Sequence, residues 1–170
     1  MKILIAGVGN VLRGDDGFGV EVARRLMQGN SFSGDVEIFE AGIAGIAFVH
    51  ELMNNYNALV IADAIDRGGE PGTLYLIEPD IPDPAGVEGS DLHRSLVDAH
   101  YTEPSKALSL ARALKVLPSK VYIVGCQPAQ TDPGLEMSEP VKNAVAVAIE
   151  RIEALIVELN RSRPSPTIQS

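Results

Sequence analysis

Five short apolar runs, Lys2–Ala6, Val36–Phe39, Ala58–Ala62, Thr73–Ile77 and Lys120–Gly125, alternate along the chain with segments whose apolar residues recur every three to four positions. Strand-like runs alternating with helical segments in this way imply a mostly parallel sheet covered by helices. The expected fold class is therefore α/β: a single domain with a mostly parallel twisted sheet of about five strands sandwiched between helices. Helical spacing is read over Gly17–Gln28, Ile43–Asn54, Pro104–Lys115 and from Glu139 to about Asn160. In the last of these, Val141, Val145, Ala148, Ile152, Ile156 and Leu159 share one face, and Ser138 before Glu139-Pro140 supplies a helix cap followed by a first-turn proline. Gly68-Gly69 and Gly72 predict a hairpin-like link between the third and fourth runs. Residues 1–160 are read as the domain and residues 161–170, rich in Ser, Pro and Arg, as a frayed tail.

Composition narrows the function. A formal net charge of −9 argues against a nucleic-acid or anionic-membrane surface, whose usual footprint is a basic cluster. Neither a secretory leader nor an apolar run long enough to span a bilayer is read, so the expected location is the cytoplasm. The single cysteine, Cys126, cannot form an internal disulfide or build a zinc site by itself, which suits a reducing compartment. It ends a strand without an evident base beside it, and is read as buried and inert.

The chemistry gathers where the first run ends. Met1–Gly19, MKILIAGVGNVLRGDDGFG, passes from an apolar run into Gly7-Val8-Gly9-Asn10 and then into two adjacent aspartates before a helix. Open α/β sheets bind ligands beyond the carboxyl ends of their strands, so function is sought around Asn10, Asp15 and Asp16. A dinucleotide fingerprint fails, because its third glycine would fall at Leu12 and the paired carboxylates would repel a pyrophosphate. A cation suits the loop better. One aspartate suffices as a helix cap, and Asp15 is assigned that role, with Asp16 pointing outward. The third run ends in Asp63 at the same edge of the sheet. Asp66 beside Arg67 reads as an exposed ion pair, and His50 as a polar-face residue of the second helix.

The longest irregular stretch, Glu78–Glu103, holds His93 and His100. His100 is anchored just before the Pro104 helix, whereas His93 lies in mid-loop, the default setting of a solvated histidine. Asp16, Asp63 and His100 together offer two carboxylates and one imidazole, a set compatible with a first-row divalent metal and with open coordination positions. Such a weak site suits a metal brought by a partner. No nucleophile motif stands beside it.

In order along the chain, Gly7-x-Gly9-Asn10 with Asp15-Asp16-Gly17-x-Gly19, Ala41-Gly42-x-Ala44-Gly45, Ile61-Ala62-Asp63-Ala64, Pro71-Gly72-Thr73, His100 before the Pro104 helix, and Gly125-x-x-Pro128 resemble the nickel-iron hydrogenase maturation proteases. The resemblance extends from Met1 to about Ile152. It implies an endopeptidase that removes the C-terminal extension of a hydrogenase large-subunit precursor. It also implies that nickel already inserted in that precursor is the recognition signal, with Asp16, Asp63 and His100 as the metal-binding and catalytic trio; His93 competes for the histidine position. Hydrolysis would follow from holding the scissile peptide beside the metal. Two readings of other classes stay open: a non-catalytic nickel-handling chaperone using the same trio, and a nucleotide-binding Rossmann-like module.

Overall fold

A computed structural model of the chain describes residues 1–29, 32, 34–43, 45–81 and 104–161. Strands β1 (Ile3–Val8), β2 (Val36–Gly42), β3 (Ala58–Ala64), β4 (Leu74–Ile77) and β5 (Lys120–Cys126) form one sheet in the order β2-β1-β3-β5-β4. Helices α1 (Phe18–Gly29), α2 (Gly45–Leu52), α3 (Pro104–Ala113) and α4 (Glu139–Arg161) cover it, and a 3₁₀ turn over Gly14–Gly17 leads into α1. All strand pairs are parallel except β4 with β5.

Strand geometry sends alternate residues to opposite faces, and the core divides accordingly. Ile3, Ile5, Val60 and Ala62 pack against Phe18, Val22 and Leu26 of α1 and against Val141, Val145, Ala148, Ile152 and Ile156 of α4. On the other face Leu4, Ala6, Leu59 and Ile61 meet Phe48, Val49 and Leu52 of α2 and Leu108 and Ala111 of α3. The central strands β1 and β3 are buried on both sides, which is why they read as unbroken apolar runs.

The order of the strands fixes where a ligand can enter. From β1 the chain crosses through α1 on one face to β2, then returns through α2 on the other face to β3, on the opposite flank of β1. The chain leaving β1 thus heads toward β2, whereas the chain leaving β3 heads the other way, toward β4, and a crevice opens between the carboxyl ends of β1 and β3. Asp16 follows β1 and Asp63 lies on β3, so both stand at this switch point.

The expected link between the third and fourth runs is not a hairpin. β5 inserts between β3 and β4, and the connecting segment climbs over its end: the Ile65 amide donates to the Cys126 carbonyl (2.8 Å), the Gly72 amide to the Gln127 carbonyl (2.8 Å) and the Gln127 amide to the Thr73 carbonyl (2.8 Å). Most other boundaries shift by one to three residues, and two of these shifts matter here: β3 continues to Ala64, so Asp63 lies within the strand, and α4 runs one residue into the expected tail. Residues 162–170 lie outside the described residues.

Close packing of α1 on the sheet depends on Gly19. A Cβ there would lie 2.0 Å from the Ala62 carbonyl oxygen and 2.3 Å from that of Val8, and neither backbone atom can yield without moving a central strand. Gly19→Ala is therefore expected to lower stability by about 2–3 kcal/mol, read as a drop in the urea midpoint. An unchanged midpoint would show that α1 can lift off the sheet at little cost. Among the described residues no helix is long and apolar enough to cross a membrane.

Candidate functional site

Three loops meet at the carboxyl edge of the sheet: residues 9–17 after β1, 65–73 after β3 and 127–138 after β5. Asp15 ties the first to the last. Its side chain is fully buried and accepts from the amides of Ala129 (2.7 Å), Gln130 (3.0 Å) and Ser138 (2.6 Å) and from the Ser138 hydroxyl (2.9 Å). This corrects the reading of Asp15 as a cap of its own helix. The 3₁₀ turn closes with backbone bonds, the Asp16 amide donating to the Arg13 carbonyl (3.1 Å), and the residue that precedes the turn, Arg13, makes no side-chain cap. Asp15 is thus free to face inward. Ser138 stands at the N-cap position of α4 as expected, its carbonyl accepting from the Lys142 amide (2.9 Å), while its hydroxyl donates to Asp15.

Burial alone would raise the pKa of Asp15, but its four donors outweigh that and hold it below its ordinary value. It is an ionised carboxylate fully engaged in holding two loops together. The same burial, with Asp15's charge nearby, pushes the Cys126 thiol up to about 11, in keeping with an inert thiol.

Asp16, half-buried, faces the opposite way. Its Oδ2 accepts from the Asn10 amide (2.9 Å), and the Asn10 Oδ1 accepts from the Leu12 amide (2.9 Å), so the loop is braced from within. A depression of about 160 Å³ opens here, lined by Asn10, Arg13, Asp16 and Thr131. Gly9, with φ of 134°, lets the chain leave β1 so tightly that a Cβ would meet the Asp16 carbonyl oxygen at 1.8 Å. Thr131 gives no signal in the sequence; it is delivered by the bond from the Arg13 Nε to its carbonyl (3.0 Å).

Asp63 pairs with Gly125 in the β3–β5 register and is only 8% exposed. Its carboxyl is pushed up to about 8, first by burial and then by the negative charge of Asp16, against a smaller pull from the Ala64 amide. Asp16 and Asp63 are therefore brought together, as their places at the strand ends suggest. Among the described residues neither carboxylate has an ion-pair partner, and no group of three His, Cys, Asp or Glu is gathered to hold a metal. His100 and its competitor His93 lie outside the described residues.

Two neighbouring readings change. Asp66 is not paired with Arg67; it accepts from Gln127 Nε2 (2.8 Å) and the Gly68 amide (2.9 Å), while Arg67 lies over the Tyr75 ring at 5.3 Å. Gln127, which sequence reasoning missed, is the buried hub of this loop: its Oε1 accepts from the amides of Arg67 (2.8 Å) and Gly69 (3.2 Å) and from the Tyr75 hydroxyl (3.2 Å). Nothing local marks such a residue, since its partners are some 60 positions away. His50 is exposed on α2, as expected.

The chain as a whole is similar to known proteins. The family model described as hydrogenase maturation protease, HycI, matches residues 20–155. The chain is 33% identical over 151 residues to the hydrogenase expression/formation protein HupD of Rhizobium leguminosarum bv. viciae, covering 88% of this chain and 71% of that protein. It is 29% identical over 159 residues to the hydrogenase 2 maturation protease of Escherichia coli, covering 93% and 92%. Among solved structures it is similar to the hydrogenase maturating endopeptidase HybD of E. coli, with a TM-score of 0.70, 27% identity and 93% of each chain covered.

Proposed function

The chain belongs to the hydrogenase maturation protease family and is a peptidase, and from that premise we propose that it removes the C-terminal extension of a nickel-iron hydrogenase large-subunit precursor once nickel has been inserted. The observation that carries the nickel reading is the pair Asp16 and Asp63. Two carboxylates stand at the switch point close enough to repel each other, the deeper one raised to about 8 by burial and by its neighbour, and among the described residues neither is ion-paired. A divalent cation relieves that repulsion, and oxygen donors joined by the imidazole of His100 make a set that nickel accepts. Nickel here is part of the substrate, arriving with the precursor.

Asp16, Asp63 and His100 then act as the reader of the loaded precursor. By completing the coordination of its metal they hold the adjoining scissile peptide in place, where the metal polarises the carbonyl or an attacking water. The braced loop, Asn10 on Asp16 and Asp15 on the 127–138 segment, keeps the carboxylates set before substrate arrives. An acidic chain with one buried cysteine suits work in the cytoplasm.

Mass spectrometry of matched precursor, nickel-loaded or nickel-free, after incubation with this protein tests the reading. Loss of the C-terminal extension in the loaded sample alone is expected. Equal cleavage of both samples would remove nickel as the signal, and stable binding of loaded precursor without cleavage would favour a nickel-handling chaperone.

A further inference from the structure

A peptidase that acts on a protein must grip it beyond the bond it cuts, and the loop pair beside Asp16 carries an unused apolar surface. Leu12 is 61% exposed and Leu135 78% exposed. Val11, Leu135 and Met137 line a hollow of about 90 Å³ together with Gly17, Glu21 and Arg24. Gly17 is the residue after Asp16, so the hollow lies one position along the backbone from the candidate site.

The exposure is held in place. The Gly14 amide donates to the Gly134 carbonyl (2.8 Å), the Gly134 amide donates to the Leu12 carbonyl (2.8 Å), and the buried Asp15 fastens both loops from beneath. Apolar side chains kept in water by a rigid frame mark a contact surface, because the ordering cost of binding has already been met by folding. The charges at the hollow are mutually engaged, Arg24 with Glu40 (2.7 Å) and Glu21 with Arg25 (2.7 Å). They leave no free charge to recruit an ion, so Val11, Leu135 and Met137 are the lining side chains left to meet an incoming group.

We infer that this hollow is the docking pocket for one apolar side chain of the precursor, a residue close in sequence to the segment held at Asp16. The inference rests on the proposed function and adds to it a substrate-specificity element, with Leu135 as the most exposed of its apolar walls. Because Leu135 is exposed, its replacement leaves the fold intact.

Steady-state processing of nickel-loaded precursor by the wild type, Leu135→Asp and Leu135→Met provides the test. Leu135→Asp is expected to raise KM by roughly 10-fold or more with kcat nearly unchanged, and Leu135→Met to remain close to wild type. An unchanged KM in Leu135→Asp would overturn the pocket while leaving the proposed function standing. So would a Leu135→Asp effect confined to self-association in sedimentation velocity, which would assign the surface to a second copy of this chain. Failure of the wild type to cleave any loaded precursor would overturn the function and the pocket with it.

Discussion

Asp63→Asn is expected to abolish processing and, in the same protein, to raise thermal stability. The carboxyl sits 8% exposed on a central strand, with its pKa pushed up to about 8 because burial and then the charge of Asp16 oppose ionisation. Asparagine has the same shape, keeps an oxygen for the Ala64 amide and brings no charge. A folded value above the ordinary 3.8 means that this acid costs the fold nothing at low pH and an increasing amount as pH rises from about 4 to about 8. The gain from Asp63→Asn should follow that window, reaching roughly 1–2 kcal/mol at neutral pH, the size usual when a site built for function is relaxed. Processing should fall by a factor on the order of 10³, because the variant removes a charged group placed at the reacting segment. Asp16→Ala and His100→Ala should lose processing to a similar degree. Calorimetry between pH 4 and 8 alongside the mass-spectrometric assay decides the matter. Wild-type processing by Asp63→Asn would remove Asp63 from the site, and a lowered melting temperature would show that its charge is compensated in the free protein.

That Asp63 stands beside Asp16 was legible because both facts are local: an apolar run ending in an acid, and a glycine turn after the first strand. Parallel α/β topology turns such strand ends into neighbours without further information. The two-sided burial of β1 and β3 was legible for the same reason, from their uninterrupted apolar runs. What escaped the sequence depends on partners far along the chain. The place of β4 outside β5 is set by backbone bonds that carry residues 65–73 over the end of β5, and no residue type reports them. Gln127 and Ser138 look like ordinary loop and cap residues until residues 60 and 123 positions away are brought to them. Asp15 looked like a cap because capping is what a lone aspartate at a helix start does by default; its burial is decided by the 127–138 loop folding over it.

Asp15 should accordingly be the polar residue on which the architecture of the site depends most. Asp15→Ala leaves three backbone amides and one hydroxyl facing an apolar void, and each buried donor left without a partner is destabilising in its own right. The expected loss is roughly 3–5 kcal/mol, a large fraction of the stability of a domain of this size. Asp15→Asn preserves shape but replaces an acceptor-only carboxylate with an amide whose NH₂ must face donors, so a loss of about 2 kcal/mol or more is expected. The pH dependence has a definite sign. The folded value of Asp15 lies below its ordinary 3.8, so its contribution is complete above about pH 4 and disappears as pH falls through the folded value. The gap between wild type and Asp15→Asn should therefore be constant near neutrality and narrow in acid, in contrast to the Asp63→Asn difference, which grows between pH 4 and 8. Urea unfolding across pH 2.5–7 measures both. Since Asp15 also holds the loop carrying Leu135 against the loop carrying Asp16, a folded Asp15→Asn protein should process precursor poorly even where it is stable, and raised precursor concentration should recover part of the rate. An Asp15→Asn variant as stable as wild type at pH 7 would show that the four bonds to Asp15 are dispensable, and with them the rigid frame on which the docking pocket depends.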